Sequence, residues 1–145
     1  MEIAVEEKPN DHLSCEIKFN RDRSKAWIGQ PHQIKKIMNT FGDEIVKLQK
    51  HGTPGTPGQQ LIIPTDKAAV IGDKQHHRCR SGVGMLMHLI KHSRPDISNS
   101  VRQLTKPLDG PTQAAHKEML RVMKCAIDTK ELGLKIEPTG DECLW

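Results

Sequence analysis

The chain has no tyrosine, and its aromatics amount to two Phe and two Trp in 145 residues. Apolar residues make up only 35% of it. That is a thin supply for a core, enough for one ordinary domain and better suited to a piece of a larger assembly than to several independent units. No apolar run approaches the ~20 residues of a membrane-crossing helix. The opening Met1-Glu2-Ile3-Ala4-Val5-Glu6-Glu7-Lys8 is acidic and lacks an apolar stretch, which argues against a secretory signal. Cysteine is scarce as well. Cys15, Cys79, Cys125 and Cys143 are scattered, with no C-x-x-C pair to make a zinc ribbon or a dithiol redox motif. They read as reduced thiols of an intracellular protein. The glycines of Gly52-Thr53-Pro54-Gly55-Thr56-Pro57-Gly58 are not followed by Gly-Lys-Ser/Thr, so a phosphate-gripping loop of the nucleotide-hydrolase kind is rejected.

What is present is positive charge in one place. Between residues 74 and 107, seven Lys and Arg (74, 78, 80, 91, 94, 102 and 106) face a single acid, Asp96. Residues 1–20 are the reverse, with five acids against Lys8 and Lys18. A local basic excess of this size favours a polyanionic partner.

Along the chain, Ile3-Ala4-Val5 is a short strand candidate, and residues 13–19 and 25–28 read as two strands joined by the polar turn Asn20-Arg21-Asp22-Arg23-Ser24. Gln30-Pro31 opens a helix carrying Ile34, Ile37, Met38 and Phe41 and ending near Gly42, with Asp43 to Lys50 read as a further helical turn or two. The Pro/Gly stretch cannot sustain a helix or a central strand and is expected to link two units, continuing as an extended connection through residue 75. Three helices follow. Val83, Leu86, Met87 and Ile90 set one apolar face, and Met85 and Leu89 widen it until the first helix is expected to be buried nearly all round. Pro95 opens the second, over 95–106, and Pro111 the third, over 111–128. On the third, Ala115, Met119, Val122, Met123, Ala126 and Ile127 share a face. Lys117, Arg121 and Lys124 lie opposite, as a solvated helix face or as cations spaced to follow a phosphate backbone. Residues 132–136 read as a strand.

The expected class is α+β: a β-hairpin and helix over 1–51, a Pro/Gly linker and connection over 52–75, a mainly α three-helix unit over 76–131, and the start of a further strand over 132–145. Two histidine groups have metal-like spacing, His76-His77 with Cys79, and His88 with His92. A zinc site needs four ligands in fixed geometry, and His88 sits in an otherwise apolar helix, so no metal ligand is assigned.

Seven elements carry a resemblance: Arg80-Ser81, Val83-Gly84, Leu86-Met87, Arg94-Pro95-Asp96-Ile97, Pro111-Thr112, Arg121-Val122 and Thr129. Their order and spacing are similar to the region just past the polymerase palm in reverse transcriptases of copia-type retrotransposons. The upstream stretch, Leu13-Ser14-Cys15-Glu16-Ile17 to Trp27-Ile28-Gly29-Gln30, resembles the same family. The resemblance implies a non-catalytic part of an RNA-directed DNA polymerase, comprising a primer-gripping hairpin and the helical thumb and connection. Its partners would be a template–primer duplex, held without sequence preference, and the remainder of the polymerase, with no membrane involved. The family's paired catalytic carboxylates, which hold two metal ions for nucleotidyl transfer, lie upstream of the matched region, and an RNase H domain lies downstream. No catalytic residue is therefore assigned here, nor a cofactor, although the complete enzyme would use magnesium. The residues expected at nucleic acid are Lys25, Trp27 and Gln30 on the hairpin, and Arg80, Arg94, Arg102, Lys106, Lys117, Arg121 and Lys124 on the helices. Where the family usually carries aromatics, this chain has His12, Cys79, His88, His116 and Cys125, which implies a drifted element copy with a weakened core. The alternative is a free-standing binding module, for a metal or a protein, derived from that sequence.

Overall fold

The structure, a computed structural model, describes residues 11–12 and 14–138. The strand expected at Ile3-Ala4-Val5, and Cys143, lie outside the described residues. The class is α+β, with a small antiparallel sheet and four α-helices.

The sheet comprises β1 (Asp11–His12), β2 (Cys15–Phe19), β3 (Ala26–Gly29) and β4 (Leu134–Ile136), in that order across it. The polar turn between β2 and β3 closes through its side chains. Asn20 Oδ1 accepts from the Lys25 amide at 3.0 Å, and Asp22 Oδ1 takes both the amide and the hydroxyl of Ser24 at 3.1 and 2.8 Å. Those bonds from Ser24 hold the Asp22 carboxyl below its usual range. Arg23 takes the left-handed conformation, φ 57°, that the reversal requires.

Because strand side chains alternate, the register puts Lys18, Trp27 and Lys135 side by side on one face, and Ile17, Ile28 and Leu134 with Phe19, Ala26 and Ile136 on the other. A Cβ at Gly29 or Gly133 would overlap the Trp27 indole, so the two glycines form the seat on which the ring lies. The Lys18 ammonium stands 5.1 Å from the ring centroid, a cation–π distance.

Helix α1 (Pro31–Ile45) starts at the expected proline and runs through Gly42 instead of ending there. A glycine costs roughly 1 kcal/mol in a helix interior, and fully burying an isoleucine returns about 1.5–3 kcal/mol. Ile45, 1% exposed, continues the stripe Ile34, Ile37 and Phe41, and that decides the extra turn.

Helix α2 (Asp73–His92) begins earlier than the apolar pattern indicates. Its first turns are polar but anchored: His76 Nε2 donates to the Leu108 carbonyl at 2.8 Å, and Arg78 reaches α1. The connection ahead of it is also fastened, by a bridge between Val70 and Thr112 and a bond from the Ile71 amide to the Pro111 carbonyl at 3.0 Å. Its buried stripe is Cys79, Gly82, Val83, Leu86 and Leu89. Met87 is 51% exposed, so the helix is amphipathic and not apolar all round. Gly82 permits the close approach of α4, since a Cβ there would run into Met119 and Met123.

Pro95–Ile97 forms a 3-10 turn leading into α3 (Ser98–Thr105). Thr112 caps α4 (Gln113–Asp128), its Oγ1 accepting from the Ala115 amide at 3.3 Å. Nine residues of α4 are buried, His116 and Glu118 among them, which makes it the helix about which the others pack. One hydrophobic cluster joins α1, α2, α3 and α4, with Leu61 added from the connection.

The Pro/Gly stretch has no helix or strand, and it is held to α4. The Glu118 carboxylate accepts from the Thr56 amide at 2.6 Å and from its hydroxyl at 2.8 Å, while Arg121 Nη2 donates to Thr53 Oγ1 at 3.2 Å. A Glu118→Ala variant is therefore expected to be cleaved within residues 52–58 at least about ten-fold faster in limited proteolysis, the loss of two bonds to a charged group releasing the loop. An unchanged cleavage rate there would show that the carboxylate does not restrain it.

Candidate nucleic-acid interface

The residues expected at nucleic acid divide by exposure. Arg80, Arg102, Lys106 and Lys117 are exposed. On α2, residues three and four apart share a face, which places Arg80, Gly84, Met87 and Lys91 in one outward stripe. Met87 and Arg102 line the same shallow groove between α2 and α3, so the α2 stripe and the α3 cations border one surface. Lys106 lies one turn beyond Arg102. Lys25 is exposed and ion-paired with Glu137, whose carboxyl is held down at about 2 by Lys135 and Lys25. Trp27 is half-buried on its glycine seat.

The α4 row is not an open face. Lys117 alone of the three is exposed. Arg121 lies partly under the Pro/Gly loop with a buried Nε that has no protein partner, and Lys124 bonds Asp128 one turn on at 2.6 Å.

Two of the expected contacts are overturned by burial. Gln30 is 4% exposed, and its amide is used internally, accepting from Ser93 Oγ at 2.8 Å and meeting His88 Nδ1 at 2.9 Å. Arg94 is 2% exposed, and all five of its N–H donors are engaged. Nε and Nη2 grip the two Asp96 oxygens at 2.8 and 2.7 Å. Nη1 reaches the carbonyls of Ala126 and Thr129 at 3.3 and 3.1 Å, and Nη2 also donates to Thr129 Oγ1 at 2.9 Å. A guanidinium so occupied has nothing left for a phosphate; it fastens the end of α4 to the turn ahead of α3.

Three of the residues standing where aromatics were expected, Cys79, His88 and His116, have side-chain partners. Cys79 Sγ lies 3.2 Å from His116 Nδ1, and His116 Nε2 lies 2.9 Å from Glu44 Oε2. Arg78 closes the chain on Glu44 Oε1 from Nε at 2.9 Å and Nη2 at 2.6 Å, with its guanidinium 4.5 Å from the Phe41 ring centroid. A carboxylate only accepts, so the imidazole proton sits on Nε2 and Nδ1 accepts from the thiol. Burial raises the Glu44 carboxyl, but the bonds from His116 and Arg78 outweigh it and leave it below its ordinary range. The order thiol–imidazole–carboxylate is that of a nucleophilic triad. Here the thiol is 2% exposed and burial, with Glu44 nearby, pushes it up to about 11, so it is no nucleophile. At two of these positions the buried polar atoms of Cys79 and His116 satisfy each other.

Among the described residues no group of three or more His, Cys, Asp or Glu is placed to hold a metal ion. His76 serves Leu108, Cys79 serves His116, and His92 Nδ1 meets the His88 carbonyl at 3.2 Å. No described helix is long and apolar enough to cross a membrane. No protein-family model, curated protein or solved structure matches the chain.

Proposed function

We propose that the chain is a non-catalytic part of a copia-type reverse transcriptase and that it holds a template–primer duplex by its backbone. The observation that carries the reading is the set of exposed cations Arg80 and Lys91 on α2 and Arg102 and Lys106 at α3, of which Arg102 lines the groove between the two helices. The family resemblance gains a physical rationale from Arg94: the Arg-Pro-Asp element and the closing Thr129 meet through one guanidinium. Magnesium and the carboxylates that bind it belong, on this reading, to the remainder of the polymerase.

Phosphate neutralisation releases condensed counterions, so log affinity falls linearly with log salt, by about 0.9 per contact on duplex DNA. The triple variant Arg80→Gln, Arg102→Gln, Lys106→Gln is expected to lower that slope by roughly 2–3, with base preference unchanged. Fluorescence anisotropy with a short duplex across a salt series measures it, with circular dichroism confirming the fold. A parental slope in the triple variant rejects this surface as the interface.

A further inference from the structure

A second groove lies between α1 and α2, on the side of α2 next to the basic stripe. Ser81, Gly84, Met85 and His88 form its α2 wall at spacings of three, four and seven. His32, Gln33 and Lys36 face them from α1. The cavity is about 510 Å³, and among the described residues no carboxylate lines it. Gln33 Nε2 donates to the Met85 carbonyl at 3.0 Å and fixes the spacing of the two walls. Nothing stands within 4 Å of a Cβ built on Gly84, so this part of the α2 backbone is open to a ligand.

The decisive feature lies behind the wall. Ser93 and Gln30, both nearly fully buried, are arranged in series with His88. The Ser93 hydroxyl donates to Gln30 Oε1, which turns the Gln30 amide nitrogen toward His88 Nδ1. An amide nitrogen only donates, so Nδ1 accepts and the ring proton sits on Nε2, the edge of the imidazole that Gln30 leaves unused. Burial, followed by the charges of His92, Lys36 and Lys91, holds His88 below its ordinary value, so at neutral pH it is an uncharged donor. A fixed N–H donor, the Lys36 ammonium, the Ser81 hydroxyl and the His32 ring thus border a cavity to which the described residues contribute no acid. That is the donor set of an oxyanion site, with a point charge supplied by lysine.

We propose that this groove binds a phosphate group. The site stands on its own geometry and does not require the template–primer reading; a free phosphate ion and a phosphodiester of a nucleic-acid backbone share the chemistry it recognises, and the two are told apart by experiment. Long-range 1H–15N correlation spectra of the full chain at neutral pH report the His88 tautomer and its Nε2 shift. Titration with inorganic phosphate, at an ionic strength fixed with chloride, is expected to move the His88 resonances saturably. Lys36→Gln, an exposed change that leaves the core intact, is expected to weaken that binding about ten-fold, the loss of one charge-assisted bond. Lys67→Gln, exposed and outside the groove, is expected to leave it unchanged. A short duplex that competes with phosphate at His88 identifies the backbone as the source. Phosphate binding without such competition assigns the groove to free phosphate. No movement of His88 with phosphate, or equal affinity in Lys36→Gln, overturns the site, and it does so even if the duplex still binds through Arg80, Arg102 and Lys106.

Discussion

Replacing Arg94 by alanine is expected to destabilise the protein by about 3–5 kcal/mol, the range for removing one partner of a buried charged network. Its five donors serve Asp96, Ala126 and Thr129, and no neighbouring group is positioned to replace them. The melting temperature should fall by about 10 °C or more. Arg94→Lys is expected to rescue little, because one ammonium cannot reproduce a planar fork aimed at a carboxylate and two carbonyls. The pH dependence supplies a second readout. The hydrogen bonds from Arg94 hold the Asp96 carboxyl below its ordinary value. Its contribution is therefore present above the unfolded value of about 4 and lost as pH falls through the lower folded value. The gap between parent and Arg94→Ala should narrow in acid. Thermal melts that coincide for the two proteins at pH 7 would show that the guanidinium is not what holds the end of α4.

The second large effect is expected at His116. Truncation to alanine removes a buried ring and leaves the Glu44 carboxylate and the Cys79 thiol without their common partner, at a cost of about 3 kcal/mol. His116→Phe restores volume without the bonds and is expected to remain destabilised. If the phenylalanine variant matched the parent in urea denaturation, the polar chain would be no more than filler. A double-mutant cycle with Glu44→Gln should give a coupling of about 1 kcal/mol or more between the two residues. Additive effects would mean that the 2.9 Å contact contributes nothing of its own.

Much of the architecture was legible in local pattern. Asn20, Asp22 and Ser24 announce their turn because the bonds that close it span no more than five residues. Pro31 stands at the start of α1 and Pro95 at the turn ahead of α3, while α4 starts two residues after the expected Pro111, behind its Thr112 cap. What local pattern does not show is pairing at a distance. Glu44 lies 72 positions from His116, and Gln30 lies 58 from His88, so nothing near any of them signals that they are mutually satisfied. Arg94 was misplaced for the same reason. A surface cation and a buried cap look alike until Ala126 and Thr129 are brought beside it. The polar start of α2 was missed because its anchors, Leu108 and Glu44, lie on other elements. Of the candidate site, the charge excess was readable and its distribution over buried and exposed positions was not.

The pairing of β4 with β3 bears on the order of events during synthesis. Trp27 and Lys135 sit opposite one another in the sheet, yet α1, α2, α3 and α4 are all made between them. Until α4 is in place, β3 has an unpaired edge beside apolar Ile28, the kind of edge that recruits strands from other molecules. Thr129, fixed by Arg94, sets the point from which the chain turns back toward that edge.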